Sequence, residues 1–303
     1  MPPAPPTQIH TLIGLLVCLC ASTTIAADPP APVERAAIVG ASASDGFGAY
    51  YWRMDGEERV RARMDLPTLL RIASDEKLIV TDLATDRFFS NPSGIGTQIV
   101  ERALRSEPDI VVAVDFLFWF GYGTVGIDAE RIRTLEDRLA MLEYGLALLD
   151  RLQVPIVVGD IPDMSDAAGR VLMRSQVPDE ATRVLMNRRI HEWAAGRDRV
   201  ELFPLSDLHA QLGGEAPIEI GGQVLPESER RNMLQRDELH PTLGGLIAIL
   251  AQLDSEIRET PELADRVPPL EVDFETLRHR VEGDGRDEPS AASSKPSAAT
   301  PSE

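Results

Sequence analysis

Ile110-Val111-Val112-Ala113-Val114 is apolar at every position. A run with no polar residue for either face suits a strand buried on both sides, the condition of a parallel sheet covered by helices. Working outward, similar short runs occur at 36–39, 78–80 and 155–158, and a fifth strand is expected at 200–203. The segments between them have helical spacing. In 129–152, Ile132, Leu135, Leu139, Leu142, Leu146 and Leu149 form one stripe; 179–195 is a second helix; 242–257 closes the pattern with Leu243, Leu246, Ile247, Leu250 and Leu253 on one side. Strands alternating with helices predict an α/β fold, a three-layer α/β/α sandwich around a mostly parallel five-stranded sheet. In such sheets functional residues collect at the carboxyl ends of the strands.

The chain has 303 residues, a formal charge of −19 and 43% hydrophobic residues, enough apolar material for one sizeable core. Its first 27 residues contain no Asp, Glu, Lys or Arg, and 11–26 is an apolar run too short for a comfortable membrane span. With small residues at Thr24, Ala26 and Ala27, 1–27 reads as a signal peptide cut near Ala26 or Ala27, which implies a secreted or periplasmic protein. The absence of Lys and Arg before the apolar run keeps an uncleaved N-terminal anchor as the alternative. Residues 28–282 read as a single α/β domain, and 283–303, rich in Ser, Ala and Pro, as a disordered tail. Cys18 and Cys20 both fall in the apolar run, so the mature chain is expected to have neither disulfides nor thiol catalysis. All the negative charge falls on the mature protein. That argues against nucleic acid as a partner and against a basic face for anionic membranes, and no stable membrane insertion is expected after cleavage.

Two distant stretches carry the chemistry. Ser42, in Gly40-Ala41-Ser42, follows the first strand, and Asp237-Glu238-Leu239-His240-Pro241 precedes the last helix. A carboxylate three residues before a histidine can curl back to accept the Nδ1 proton, which leaves Nε2 free to take a proton from a serine. Each stretch alone has a plainer reading: small residues turn a chain after a strand, an Asp caps a helix, and a His beside Pro fills a turn. Their joint occurrence on an α/β pattern points to Ser42 as nucleophile, His240 as base and Asp237 as orienter. His10, His191, His209 and His279 have no comparable neighbours, and no close-spaced His, Asp and Glu set suggests a metal. The glycine-rich stretch 40–48 lacks the lysine of a phosphate loop and the spacing of a dinucleotide fingerprint. Neither a metal nor any other cofactor is expected.

Over residues 34–258 the chain resembles the SGNH hydrolases, the GDSL esterase and lipase family. Their first block, Gly-Asp-Ser-Leu, is matched by Gly40-Ala41-Ser42-Ala43, and their last, Asp-x-x-His-Pro, by Asp237, His240 and Pro241. Asn91-Pro92-Ser93-Gly94-Ile95-Gly96-Thr97 is similar to the second block. The resemblance implies a flavodoxin-like sandwich, Ser42 as nucleophile, and an oxyanion hole formed by the N–H groups of Ser42 and Gly94, with Gly96 as fallback. Two departures matter. Ala41 stands where the family has Asp, and the third block, Gly-x-Asn-Asp, gives way to Ala113-Val114-Asp115-Phe116-Leu117-Phe118-Trp119, which has no Asn. Losing one oxyanion donor costs a serine hydrolase on the order of a hundredfold to a thousandfold in rate. Asn91, the Trp119 indole N–H and a backbone N–H within 116–123 are the replacements at hand. Asp115 suits hydrogen bonding behind the site or ordering of the loop. Phe116, Phe118, Phe120 and Tyr122 read first as core packing and loop anchors, and alternatively as an aromatic wall for an acyl or sugar group.

These readings imply a serine esterase that hydrolyses carboxylic esters of a small molecule or polysaccharide through an acyl-enzyme. The missing Asn keeps a second expectation alive, a weak or inactive SGNH-fold protein that binds a glycan, an acyl chain or a protein. A third keeps the same residues and transfers the acyl group to an alcohol other than water.

Overall fold

Nine strands can be followed along the chain in the computed structural model, which describes residues 31–55, 58–123, 134–214, 216–220, 223–225 and 232–282. They are β1 (Arg35–Ile38), β2 (Tyr50–Asp55), β3 (Glu58–Arg63), β4 (Ile79–Asp82), β5 (Ile110–Ala113), β6 (Ile156–Gly159), β7 (Val200–Phe203), β8 (Glu219–Ile220) and β9 (Gln223–Val224). Five of them form the central sheet in the order β4-β1-β5-β6-β7, and every pairing is parallel. This is a flavodoxin-like order, with the chain reversing direction across the sheet between β1 and β5. The expected signal peptide at 1–27 and tail at 283–303 lie outside the described residues.

Seven helices complete the layers: α1 (Leu66–Ala73), α2 (Pro92–Ser106), α3 (Phe118–Tyr122), α4 (Leu135–Leu149), α5 (Glu180–Ala195), α6 (Leu205–Gly213) and α7 (Leu243–Glu259), followed by short helices at Pro261–Ala264 and Phe274–Glu282. Successive strand side chains point to opposite faces, and the two cores divide accordingly. Ile38, Ile110, Val112 and Val157 pack with α1, α6 and α7, while Ala37, Val111, Ala113, Ile156 and Val158 pack with α2, α3, α4 and α5. Strands β5 and β6 are buried throughout, as their sequences require. On β4, the edge strand among the described residues, Ile79 is exposed. The predicted 129–152 helix is seen as α4; residues 124–133 lie outside the described set.

Side-chain caps fix where several helices begin. Asp65, Thr134, Asp179 and Thr242 each accept a backbone N–H from the first turn of α1, α4, α5 and α7, satisfying a donor that the helix leaves open. The antiparallel ribbon β2–β3 is an insertion that the apolar runs did not reveal. Among the described residues no helix is long and apolar enough to cross a membrane.

Candidate active site

Strand β1 ends at Ile38, and the chain then turns tightly: the Asp45 N–H donates to Ala41 O and the Phe47 N–H to Ser42 O, each at 2.9 Å. Asp115, just beyond β5, organises this turn. Its carboxylate accepts the N–H groups of Ala41 and Ala43 at 2.9 Å and of Ser44 at 3.1 Å, and the Ser44 hydroxyl at 2.6 Å. Of four consecutive N–H groups, Asp115 takes three and leaves that of Ser42. The carboxylate that orders the turn therefore comes from position 115, with Ala41 contributing only its backbone. Gly40 is required by this arrangement, since a Cβ there would collide with Asp115 Oδ1 and Ser44 Oγ. Gly46 adopts φ +71° where a Cβ would strike the Met64 carbonyl, a conformation open to glycine.

The Asp237 segment closes on itself as its spacing predicts. Asp237 Oδ1 accepts the N–H groups of Leu239 and His240, both at 3.0 Å, and Oδ2 lies 2.8 Å from His240 Nδ1. The turn forces Glu238 into the left-handed region at φ +59°, which costs a non-glycine residue roughly 1–2 kcal/mol. Arg170 braces it, donating to Arg236 O at 2.6 Å and Glu238 Oε1 at 3.1 Å. Burial alone would raise the Asp237 pKa, but hydrogen bonds from the His240 ring and from the N–H groups of His240 and Leu239 outweigh it and bring the carboxyl down to about 2. An ionised acceptor at Nδ1 assigns the ring proton there, so neutral His240 presents an unprotonated Nε2. That nitrogen lies 3.0 Å from Ser42 Oγ. Ser42 and His240 are each 7% exposed, shielded but reachable.

Both face a cleft of about 200 Å³. Its walls are mostly apolar, from Phe47, Phe89, Trp119, Val171, Leu172 and Leu239, and its further polar side chains are Asp86 and Gln176. Asp45, three residues past Ser42, is raised to about 6 by burial and by the nearby Asp86, Asp82 and Asp65, against the lowering influence of Arg63. Arg63 bonds it at 2.8 Å.

The structure thus brings Ser42, His240 and Asp237 together across 198 residues of sequence separation. Gly94 and Gly96 do not join them. Helix α2 starts at Pro92 with Asn91 as its cap, so the Gly94 N–H donates to Asn91 Oδ1 at 3.0 Å. Gly96 lies one turn into α2, where its N–H belongs to the helical ladder and its bare Cα admits the Phe120 ring and Leu148. Neither glycine lines the cleft, which corrects the oxyanion role expected of them; the turn bordering the cleft is instead Asp86–Ser90, directly after β4. Phe116, Phe120 and Tyr122 are core residues, and Trp119 is the aromatic that reaches the cleft. Sequence reasoning missed Phe47 and Gln176, which sit in loops without any motif. Among the described residues no group of three or more His, Cys, Asp or Glu is arranged to hold a metal ion.

No family model matches the chain, and no curated protein sequence matches it. The chain is similar in fold to several solved structures, these two among them. One, described as the crystal structure of TesA, is 16% identical with a TM-score of 0.43, over 75% of this chain and 99% of that one. The other, BT4096, a gut microbial diltiazem-metabolizing enzyme, is 10% identical with a TM-score of 0.44, over 75% of this chain. The match spans about half of that second protein, 48% of its length. Both are likenesses of fold alone.

Proposed function

We propose that this protein is a serine esterase, exported after loss of residues 1–27, that hydrolyses carboxylic esters through an acyl-enzyme on Ser42. The single observation that carries the reading is the 3.0 Å contact between Ser42 Oγ and His240 Nε2, with His240 Nδ1 held at 2.8 Å by Asp237. A hydroxyl is a weak nucleophile unless a base takes its proton as it attacks. As Ser42 Oγ bonds to the ester carbonyl carbon, its proton passes to His240 Nε2, and Asp237 stabilises the imidazolium. The tetrahedral intermediate then collapses, and the leaving alcohol takes the proton from His240. Water adds to the acyl-enzyme with His240 accepting its proton, and as the carboxylic acid leaves, His240 returns that proton to Ser42 Oγ. The Ser42 N–H, which Asp115 leaves unclaimed, is available to the oxyanion.

A fluorophosphonate probe tests this directly. Covalent labelling of the wild type at Ser42, absent from Ser42→Ala, supports the reading, as does hydrolysis of p-nitrophenyl acetate that His240→Ala abolishes. A protein that is not labelled, or a Ser42→Ala variant labelled as strongly as wild type, sinks it and leaves the fold as a binding scaffold.

A further inference from the structure

Two residues that line the cleft carry buried side-chain N–H groups without an acceptor among the described residues: the indole Nε1 of Trp119 and the carboxamide Nε2 of Gln176. Their residues are only 7% and 4% exposed. Buried donors without partners are rare, and each calls for an explanation. The ambiguity of an amide end does not arise for Gln176, because its Oε1 accepts the Met173 N–H at 2.8 Å, which assigns the free end as NH2 and holds the group in place. Indole nitrogen is a donor only, and so is an amide nitrogen. Two residues that line the cleft of the nucleophile and its base therefore carry donors that need one kind of partner, an oxygen with lone pairs.

Resting on the esterase reading, we infer that Trp119 and Gln176 are the side-chain oxyanion donors of this site, standing in for the absent asparagine. Gly94 and Gly96 are committed within α2, so the site needs donors from elsewhere. The step is balanced without a further proton. When Ser42 Oγ bonds to the carbonyl carbon, the C=O π pair moves onto oxygen; the indole and carboxamide N–H groups donate to that oxygen; the pair returns as the alcohol leaves. Trp119 comes from the start of α3 beyond β5, and Gln176 from the segment between β6 and α5.

The test uses the full-length protein with p-nitrophenyl acetate, comparing Trp119→Phe and Gln176→Met with wild type. Each is expected to lower kcat by roughly a hundredfold to a thousandfold with KM little changed, because the contact is made in the transition state. In 1H–15N spectra the Trp119 indole resonance, assigned through triple-resonance connectivities, is expected to move downfield when a fluorophosphonate places an anionic oxygen on Ser42. This second measurement uses the wild type and serves if either variant fails to fold. Wild-type kcat in both variants, or an indole resonance unmoved by Ser42 modification, overturns the assignment. If Ser42 is labelled and esters are cleaved while the donors prove silent, the esterase reading stands without them. If Ser42 is never labelled, both fall.

Discussion

The ring of Phe47 packs against the ring of His240, with centroids 4.7 Å apart and 44° between planes. Phe47 also lines the cleft, and its carbonyl accepts a hydrogen bond from Gln235 at 2.7 Å. The contact restrains the imidazole where the two rings meet. A ring–ring contact of this kind contributes about 1 kcal/mol beyond buried area, and a loss of that size is a factor of roughly five in rate. Phe47→Ala should lower kcat for p-nitrophenyl acetate by about that factor, while Phe47→Tyr retains most of it. Steady-state kinetics on the two variants check this.

Asp115 should matter more for the turn than for the chemistry. In Asp115→Ala the buried N–H groups of Ala41, Ala43 and Ser44 lose their acceptor, and an unsatisfied buried donor costs roughly 1–3 kcal/mol. We expect an overall loss on the order of 3 kcal/mol, read as a lower urea midpoint, together with a fall in Ser42 labelling rate. Asp115→Asn keeps one acceptor oxygen and should lie between that variant and wild type.

The sign of the acid response follows from Asp237, whose ordinary carboxyl pKa of 3.8 falls to about 2 in the folded chain. A depressed pKa means that the unfolded chain takes up the proton first. The stabilisation is present above pH 3.8 and is lost as pH falls through about 2. Urea midpoints between pH 5 and pH 2 should therefore fall less steeply for Asp237→Asn than for wild type. The same variant should lose on the order of 10⁴ in kcat, the effect of that change where a triad carboxylate has been replaced by an amide.

Gly96→Ala separates packing from catalysis. In an open helix the change is worth up to about 1 kcal/mol of extra stability, but here the new Cβ meets Phe120 Cζ at 2.9 Å, with Leu148 and Phe88 behind it. Overpacking of this sort costs roughly 1–3 kcal/mol. The expected outcome is a lower thermal midpoint with kcat of the folded protein retained. A large fall in kcat at unchanged stability would restore this glycine to the reacting centre.

Much of the architecture was legible because burial leaves a period in the sequence. Apolar 110–114 and 155–158 became β5 and β6, buried on both faces, and the leucine stripes became α4 and α7. The ribbon β2–β3 escaped notice because its residues, with Arg53, Arg59, Arg61 and Arg63 among them, are largely in solvent and form no continuous apolar run. The Asp237–His240 turn was readable for a different reason: its geometry is local, set by a carboxylate reaching two and three residues ahead. The second-block glycines misled because a Gly-rich motif looks alike whether it forms a loop or, once Asn91 and Pro92 start a helix, packs against aromatic rings.

By itself the sequence determined the alternating strands and helices, the self-closing Asp237 turn and the two residue types that would need each other. Hydrophobic period and short-range hydrogen bonds express themselves within a few positions. Only the tertiary structure decided that Ser42 Oγ meets His240 Nε2, that Asp115 binds the turn around the serine, and that Trp119 and Gln176 border one cleft with their N–H groups unpaired. Those relationships join residues dozens to nearly two hundred positions apart, and they exist because packing the sheet brings the ends of β1, β5 and β6 to one edge.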